Sequence, residues 1–387
     1  MTKKFRTIEE CDNRMATKTA DSTGLVWFDA AEAPIELSGF AWFEQDRVFR
    51  RMPVKPAYQL PPGVEFLAWH TSGGKVRFKT DSKQIVLRVK LRENGIMDHM
   101  PRTGSNGFDL YCGEPGKETY FYTTRSCEQE YDFQIFKQEK AQLQTFTVNF
   151  PLYQGVDSLQ IGLEQGAKIL PPEPLKKYVA IYGTSITQGG CASRPGMVTS
   201  NILSRKLGRH FVNLGFSGSG RGEPEVARVL AELDPAMFLL DFEANAWNDY
   251  EKKLPEFIRI LREAHPETPI FVLSGYQYTK RYTPEEGCRP GNVRMQQELI
   301  KSLQQAGDKK IWSVDGRKQL GNGGCNGHTC HTHFEHPDKN QIQNHIQKAA
   351  DKQNVHWPFR VAVAAENAAA EVVGRHCRES SQVNTHI

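Results

Sequence analysis

No stretch of this 387-residue sequence approaches the roughly 18 consecutive apolar residues of a membrane span, so the hydropathy predicts no transmembrane segment. A charge of one sign is also missing. Its 49 lysines and arginines are interspersed with 45 aspartates and glutamates, and the net charge of +4 leaves no basic stripe for nucleic acid. Cysteine is sparse. Eight residues, at 11, 112, 127, 191, 288, 325, 330 and 377, are too scattered for a disulfide framework, and free thiols are expected. The opening residues are basic without an apolar core behind them, unlike a secretory signal, so a cytoplasmic protein is the expectation. No internal repeat is evident.

What is present is a globular balance of 39% hydrophobic and 24% charged residues, on a chain too long for one ordinary core. Residues 1–168 read as β-structure. Ile85, Leu87, Val89 and Leu91 alternate with Val86, Arg88 and Lys90, and similar alternation recurs around Phe146, Val148 and Phe150 and around Leu159, Ile161 and Leu163. Turn signals such as Ser72-Gly73-Gly74 separate these runs, with no helical period between them, which predicts an all-β sandwich or jelly roll. Residues 169–177 hold Pro171, Pro172 and Pro174 and read as a linker.

From 178 to 345 the pattern becomes alternating strands and helices. Apolar strands are expected at 178–182, 211–215, 237–242, 270–273 and 311–314. Between them, Leu254, Phe257, Ile258 and Leu261 form one helical stripe, and Met295, Leu299, Ile300 and Leu303 mark another helix. Buried strands between amphipathic helices predict a parallel sheet covered on both faces, with function at the carboxyl ends of its strands. Residues 346–387 have an atypical, partly Ala-rich composition without an evident strand.

The informative residues follow the strands. Ser185, within Gly183-Thr184-Ser185-Ile186-Thr187, sits at a strand-to-helix turn. There its hydroxyl can act as a nucleophile and its N–H can hold an oxyanion. The competing reading is a helix cap. The G-x-S-x-G elbow is not satisfied, because Thr187 stands where its second glycine belongs. Asn213 to Gly220 follows the second strand, and Asp241-Phe242-Glu243-Ala244-Asn245 follows the third. A serine, an unobstructed glycine N–H and an asparagine amide on successive strand ends can converge on one point.

This order resembles the SGNH, or GDSL-like, hydrolase superfamily. The block at Ser185 is similar to its Gly-Asp-Ser-Leu nucleophile block, Gly218 matches its oxyanion glycine, and Asn245 matches its asparagine donor. Asn248 is a rival for that role, because Ala246-Trp247-Asn248-Asp249 resembles the G-x-N-D form. Gly107-Phe108-Asp109-Leu110-Tyr111 resembles the G-x-D-L-Y signature of a β-sandwich that precedes some of these hydrolases, and 38–46 resembles their opening segment. For Asp109 and Tyr111 a structural duty is the simpler reading. The resemblance implies a sandwich before a flavodoxin-like three-layer domain. It also implies a serine esterase acting on short acyl esters such as acetylated sugars, with no cofactor or metal.

The chain departs from the family late in the sequence. Where the family has Asp-x-x-His before proline, this chain has His333-Phe334-Glu335-His336-Pro337. His336 remains the expected general base. Glu335, Asp338 or Asp315 could stand in for the acid, and His328 and His331 are rival bases. A second reading of the stretch is a zinc site, from Cys325, His328, Cys330, His331, His333 and His336, although the spacing matches no familiar finger. A third is a disordered extension or a slip of reading frame. The alternatives to hydrolysis are a catalytically impaired carbohydrate- or partner-binding protein and an acyltransferase to a specific alcohol.

Overall fold

The structure, a computed structural model, describes residues 19–276 and 289–316. In chain order the first strands are β1 (Leu25–Asp29), β2 (Glu36–Ser38), β3 (Lys75–Thr80), β4 (Gln84–Leu91), β5 (Asp109–Cys112), β6 (Thr119–Thr123), β7 (Glu130–Lys137), β8 (Gln144–Asn149), β9 (Val156–Glu164) and β10 (Ile169–Leu170). They form two antiparallel sheets, one ordered β1-β9-β4-β7 and one ordered β10-β3-β8-β5-β6, with β2 also paired to β3. The alternation read at 85–91 is the reason. Ile85, Leu87, Val89 and Leu91 turn into the core, while Arg88 and Lys90 pair with Asp132 and Glu130 outside. Phe78, Phe108, Phe146, Val148, Ile161 and Leu163 complete the apolar filling between the sheets.

Helices were not expected in this half, yet short ones form at Phe43–Asp46, Pro62–Leu67 and Arg102–Ser105. Each spans fewer than two turns, too short for a 3.6-residue period to register in the sequence. The prolines at 171, 172 and 174 then carry the chain from β10 to the next strand.

Five parallel strands follow: β11 (Lys176–Gly183), β12 (Arg209–Gly215), β13 (Met237–Asp241), β14 (Ile270–Leu273) and β15 (Ile311–Val314), in the order β12-β11-β13-β14-β15. This is the flavodoxin-like order. All five β13 residues are buried, as a strand covered on both faces requires. The stripe Leu254, Phe257, Ile258 and Leu261 lies on helix Tyr250–Ala264 and is fully interior. Trp42, Met52, Leu60, Val64 and Leu67, from the segment between β2 and β3, pack into this second core and not the first. No helix among the described residues is long and apolar enough to cross a membrane.

One buried cation joins the halves. As the edge strand of the parallel sheet, β12 has a row of carbonyls without a strand partner, and Asn213 and Gly215 stand two apart in it. The fully buried Arg51 guanidinium donates from Nη1 to the Asn213 and Gly215 carbonyls at 3.1 and 2.6 Å. Its Nη2 donates to Leu67 O at 2.7 Å and its Nε to His70 O at 2.6 Å. The guanidinium also lies 4.7 Å from the centre of the Phe216 ring. Burial lowers the Arg51 pKa to about 9, so the group stays charged at neutral pH. Its partners are carbonyl dipoles, not a carboxylate. Replacing it with Met leaves those carbonyls unsatisfied, and we expect a loss of about 3–5 kcal/mol in denaturant-unfolding free energy. Lys should restore little, because one ammonium cannot serve a forked set of acceptors. Wild-type stability in Arg51→Met would show that the clamp contributes nothing net.

Candidate active site

In an open parallel sheet the strand order reverses at one point, and a crevice opens there beyond the carboxyl ends. Here that point lies between β11 and β13, and Ser185 follows β11 directly. Thr184 is the extended residue before the short helix Ser185–Gln188, and its side chain accepts the Ile186 N–H at 3.3 Å. The capping duty therefore falls on Thr184. Ser185 is the first helical residue and half-buried, and its hydroxyl makes no hydrogen bond among the described residues.

The turn after β12 is held against this helix. Gly215 backs onto the helix so closely that a Cβ there would lie 2.3 Å from the Gln188 nitrogen. Phe216 N donates to Gly183 O at 2.9 Å, and Ser219 N and Gly220 N both return to Phe216 O. These bonds bend the chain so that Gly218 takes φ +66°, a left-handed conformation, and stands exposed. The N–H groups of Ser185 and Gly218 have no acceptor among the described residues. Asn245 lies on the short helix Glu243–Ala246 after β13, and its Nδ2 reaches Phe216 O at 3.4 Å. The structure thus brings Asn245 to the turn that carries Gly218. Asn248 is exposed instead, with its amide oxygen taken by Arg289.

Of the three described non-glycine residues with positive φ, two flank these elements: Cys191 at 60° just after the serine helix, and Trp247 at 50° just after Asn245. Such strain concentrates at functional sites. Asp109 and Tyr111 are fully buried. Asp109 accepts the Gly196 N–H at 2.6 Å and the Asn149 amide at 2.8 Å, so the motif grips the loop that follows the serine helix. His336 lies outside the described residues, as do His328, His331, His333, Glu335, Asp338 and both cysteines of the zinc-type cluster. Asp315 directly follows β15, with β13 and β14 between that strand and β11. None of the four described histidines (70, 99, 210 and 265) hydrogen-bonds Ser185.

Two buried carboxyls were not anticipated. Asp241 ends β13, and its Oδ2 accepts from Thr187 Oγ1 at 2.9 Å and from the Tyr276 hydroxyl at 3.3 Å. Burial pushes its pKa up to about 7 against those two bonds, with Glu243 nearby adding to the rise. Glu243 is also raised by burial, while the Asn292 amide, 2.6 Å away, favours its ionised form. The signal for Asp241 was only its place at a strand end.

A carboxyl with a raised folded pKa binds its proton more tightly when folded. Its stabilising contribution is complete below the unfolded value of 3.8 and is lost as pH rises toward about 7. Asp241→Asn keeps a carbonyl acceptor and removes the titration. Its melting temperature should therefore gain several degrees relative to wild type between pH 5 and pH 8. A constant difference across that range would show that Asp241 does not titrate there.

Comparison with known proteins agrees with this fold. Residues 176–349 match the GDSL-like lipase/acylhydrolase family, and residues 25–169 match the GxDLY domain, the N-terminus of SGNH-hydrolase-type esterases. A solved structure from Bacteroides ovatus, described as a GDSL-like lipase, is 27% identical over 85% of this chain and 97% of its own, with a TM-score of 0.75. A salicylyl-acyltransferase from a tetracycline biosynthetic pathway is 18% identical over 88% of this chain and 100% of its own, with a TM-score of 0.69. A family two carbohydrate esterase from Cellvibrio japonicus is 10% identical over 85% and 97%, with a TM-score of 0.55. These last two share the fold. A search of curated proteins finds no match. The chain thus carries a GxDLY domain followed by a GDSL-like lipase/acylhydrolase domain.

Proposed function

We propose that the chain is a serine ester hydrolase for short acyl esters, acetylated carbohydrates foremost, working through an acyl-enzyme on Ser185. The observation that carries this reading is the set of unpartnered groups at the switch point. The Ser185 hydroxyl and N–H and the Gly218 N–H have no partner among the described residues, and the Asn245 amide is held at the same turn by a single long bond. Ser185 Oγ attacks the ester carbonyl, and the oxygen that gains charge is held by the Ser185 and Gly218 N–H groups and Asn245 Nδ2. His336 takes the serine proton and returns it to the leaving alcohol, and water then releases the acid by the reverse proton path. No cofactor enters the scheme.

The sugar preference draws on the carbohydrate esterases that share the fold. The same acyl-enzyme would serve an acyltransferase if a specific alcohol outcompeted water, and the ratio of transfer to hydrolysis products separates the two. A cytoplasmic setting fits the free thiols of Cys112 and Cys127.

The test is hydrolysis of p-nitrophenyl acetate. Ser185→Ala should lower kcat by about a thousand-fold or more, and His336→Ala should collapse it similarly. Asn245→Ala should cost about 100- to 1,000-fold in kcat with little change in KM. If only the serine variant loses activity, the base lies elsewhere, with His328, His331 and His333 next to be replaced. Wild-type protein no faster than Ser185→Ala across short acyl esters would sink the reading.

A further inference from the structure

Gln188 closes the short helix that Ser185 opens, and its side chain is fully buried. Its Oε1 accepts the Ser217 N–H at 2.9 Å. Its Nε2 donates to Leu152 O at 3.2 Å and lies 3.2 Å from His70 Nδ1. Burial pushes His70 down to about 3, so the imidazole is neutral and Nδ1 can accept. These acceptors decide which way the amide points. Its NH2 faces Leu152 and His70, leaving the oxygen for Ser217. The Gln188 main chain is pinned as well, its carbonyl accepting Ser72 Oγ at 2.6 Å and its N–H donating to Thr184 O at 2.9 Å.

The peptide that presents the Gly218 N–H is therefore fixed on both sides. Gln188 holds the Ser217 N–H just before it, and Arg221 Nε holds the Gly218 carbonyl just after it at 2.8 Å. Arg221 is exposed, whereas Gln188 is not. Gln188 also stands one helical turn from Ser185, and its NH2 is anchored on residues of the N-terminal half. We propose that Gln188 is a positioning residue, whose amide sets the Gly218 N–H relative to the Ser185 hydroxyl and makes that geometry depend on Leu152 and His70. This rests on the reading of Ser185 and Gly218 given above. A buried amide that only stabilised the fold would leave turnover of the folded enzyme unchanged.

The experiment compares wild type, Gln188→Asn and Gln188→Glu on p-nitrophenyl acetate, with Ser185→Ala alongside. Inhibition by a simple boronic acid, which forms a tetrahedral adduct on a serine, is measured on each, and thermal melts establish folding. Asn is one methylene short and cannot span Ser217 and Leu152 together. We expect its kcat to fall about 10- to 100-fold with KM within about twofold, and the boronic acid to weaken by a similar factor. Glu keeps the acceptor for Ser217 but sets an oxygen against Leu152 O and His70 Nδ1, so its anchor on the N-terminal half is lost and both readouts should fall by a similar factor. The proposal fails if either folded variant stays within about threefold of wild type in kcat and inhibition. Should one variant not fold, the other alone decides by the same threefold limit. If Ser185→Ala is as active as wild type, the esterase reading itself has failed. If Ser185→Ala is inactive and Gln188→Asn is not impaired, only this inference falls.

Discussion

A single buried guanidinium sets the terms for the rest of the molecule. Arg51 is enclosed among carbonyl groups contributed by Leu67, His70, Asn213 and Gly215. An edge strand cannot be buried while its outward carbonyls lack donors, and β12 is such a strand. The parallel sheet of this chain therefore requires something beside β12 that brings several N–H groups and little bulk. An arginine fork supplies them. Because Arg51 lies between β2 and β3 of the sandwich, the sheet end that carries the Gly218 turn cannot be completed without the N-terminal sequence. Trp42, Met52 and Val64 reinforce the dependence by packing into the core of the parallel sheet.

The same logic extends to the loops above the sheet. Asp109 grips Gly196 from the sandwich, so the loop after the serine helix is held from outside the parallel-sheet region. A small cluster of Met100, Leu152, Tyr153, Cys191, Ala192 and Val198 fills the space between. The serine helix is only four residues long and has little stability of its own. It is held by Thr184 at its start, by Gly215 behind it and by Gln188 at its end. Positive φ at Cys191 and Trp247 shows where this packing overrides local preference.

The class of each half was legible because its periodicity is local. Alternation at 85–91 and the stripe at 254–261 are written in neighbouring residues, and the strands at 270–273 and 311–314 have the bounds that the sequence predicts. Short helices such as Pro62–Leu67 were not legible, since one or two turns carry no period. Ser185, Gly218 and Asn245 could be singled out because each follows a strand whose end the sequence marks. Gln188, Arg51 and Asp241 could not. Glutamine at a helix end, arginine in a loop and aspartate after a strand are each ordinary in isolation, and their importance comes from partners 29, 164 and 54 residues away.

The amino-acid sequence by itself determined the order of the two halves, the parallel character of the second and the strand ends where chemistry gathers. Each follows from side-chain patterning within a dozen residues. Only the tertiary structure decided that Asn245 rather than Asn248 meets the Gly218 turn, that Thr184 rather than Ser185 caps the helix, and that the N-terminal half holds the edge of β12 and the loop after the serine helix. Those outcomes depend on which unsatisfied donor meets which acceptor once distant segments pack, and no local pattern encodes that pairing.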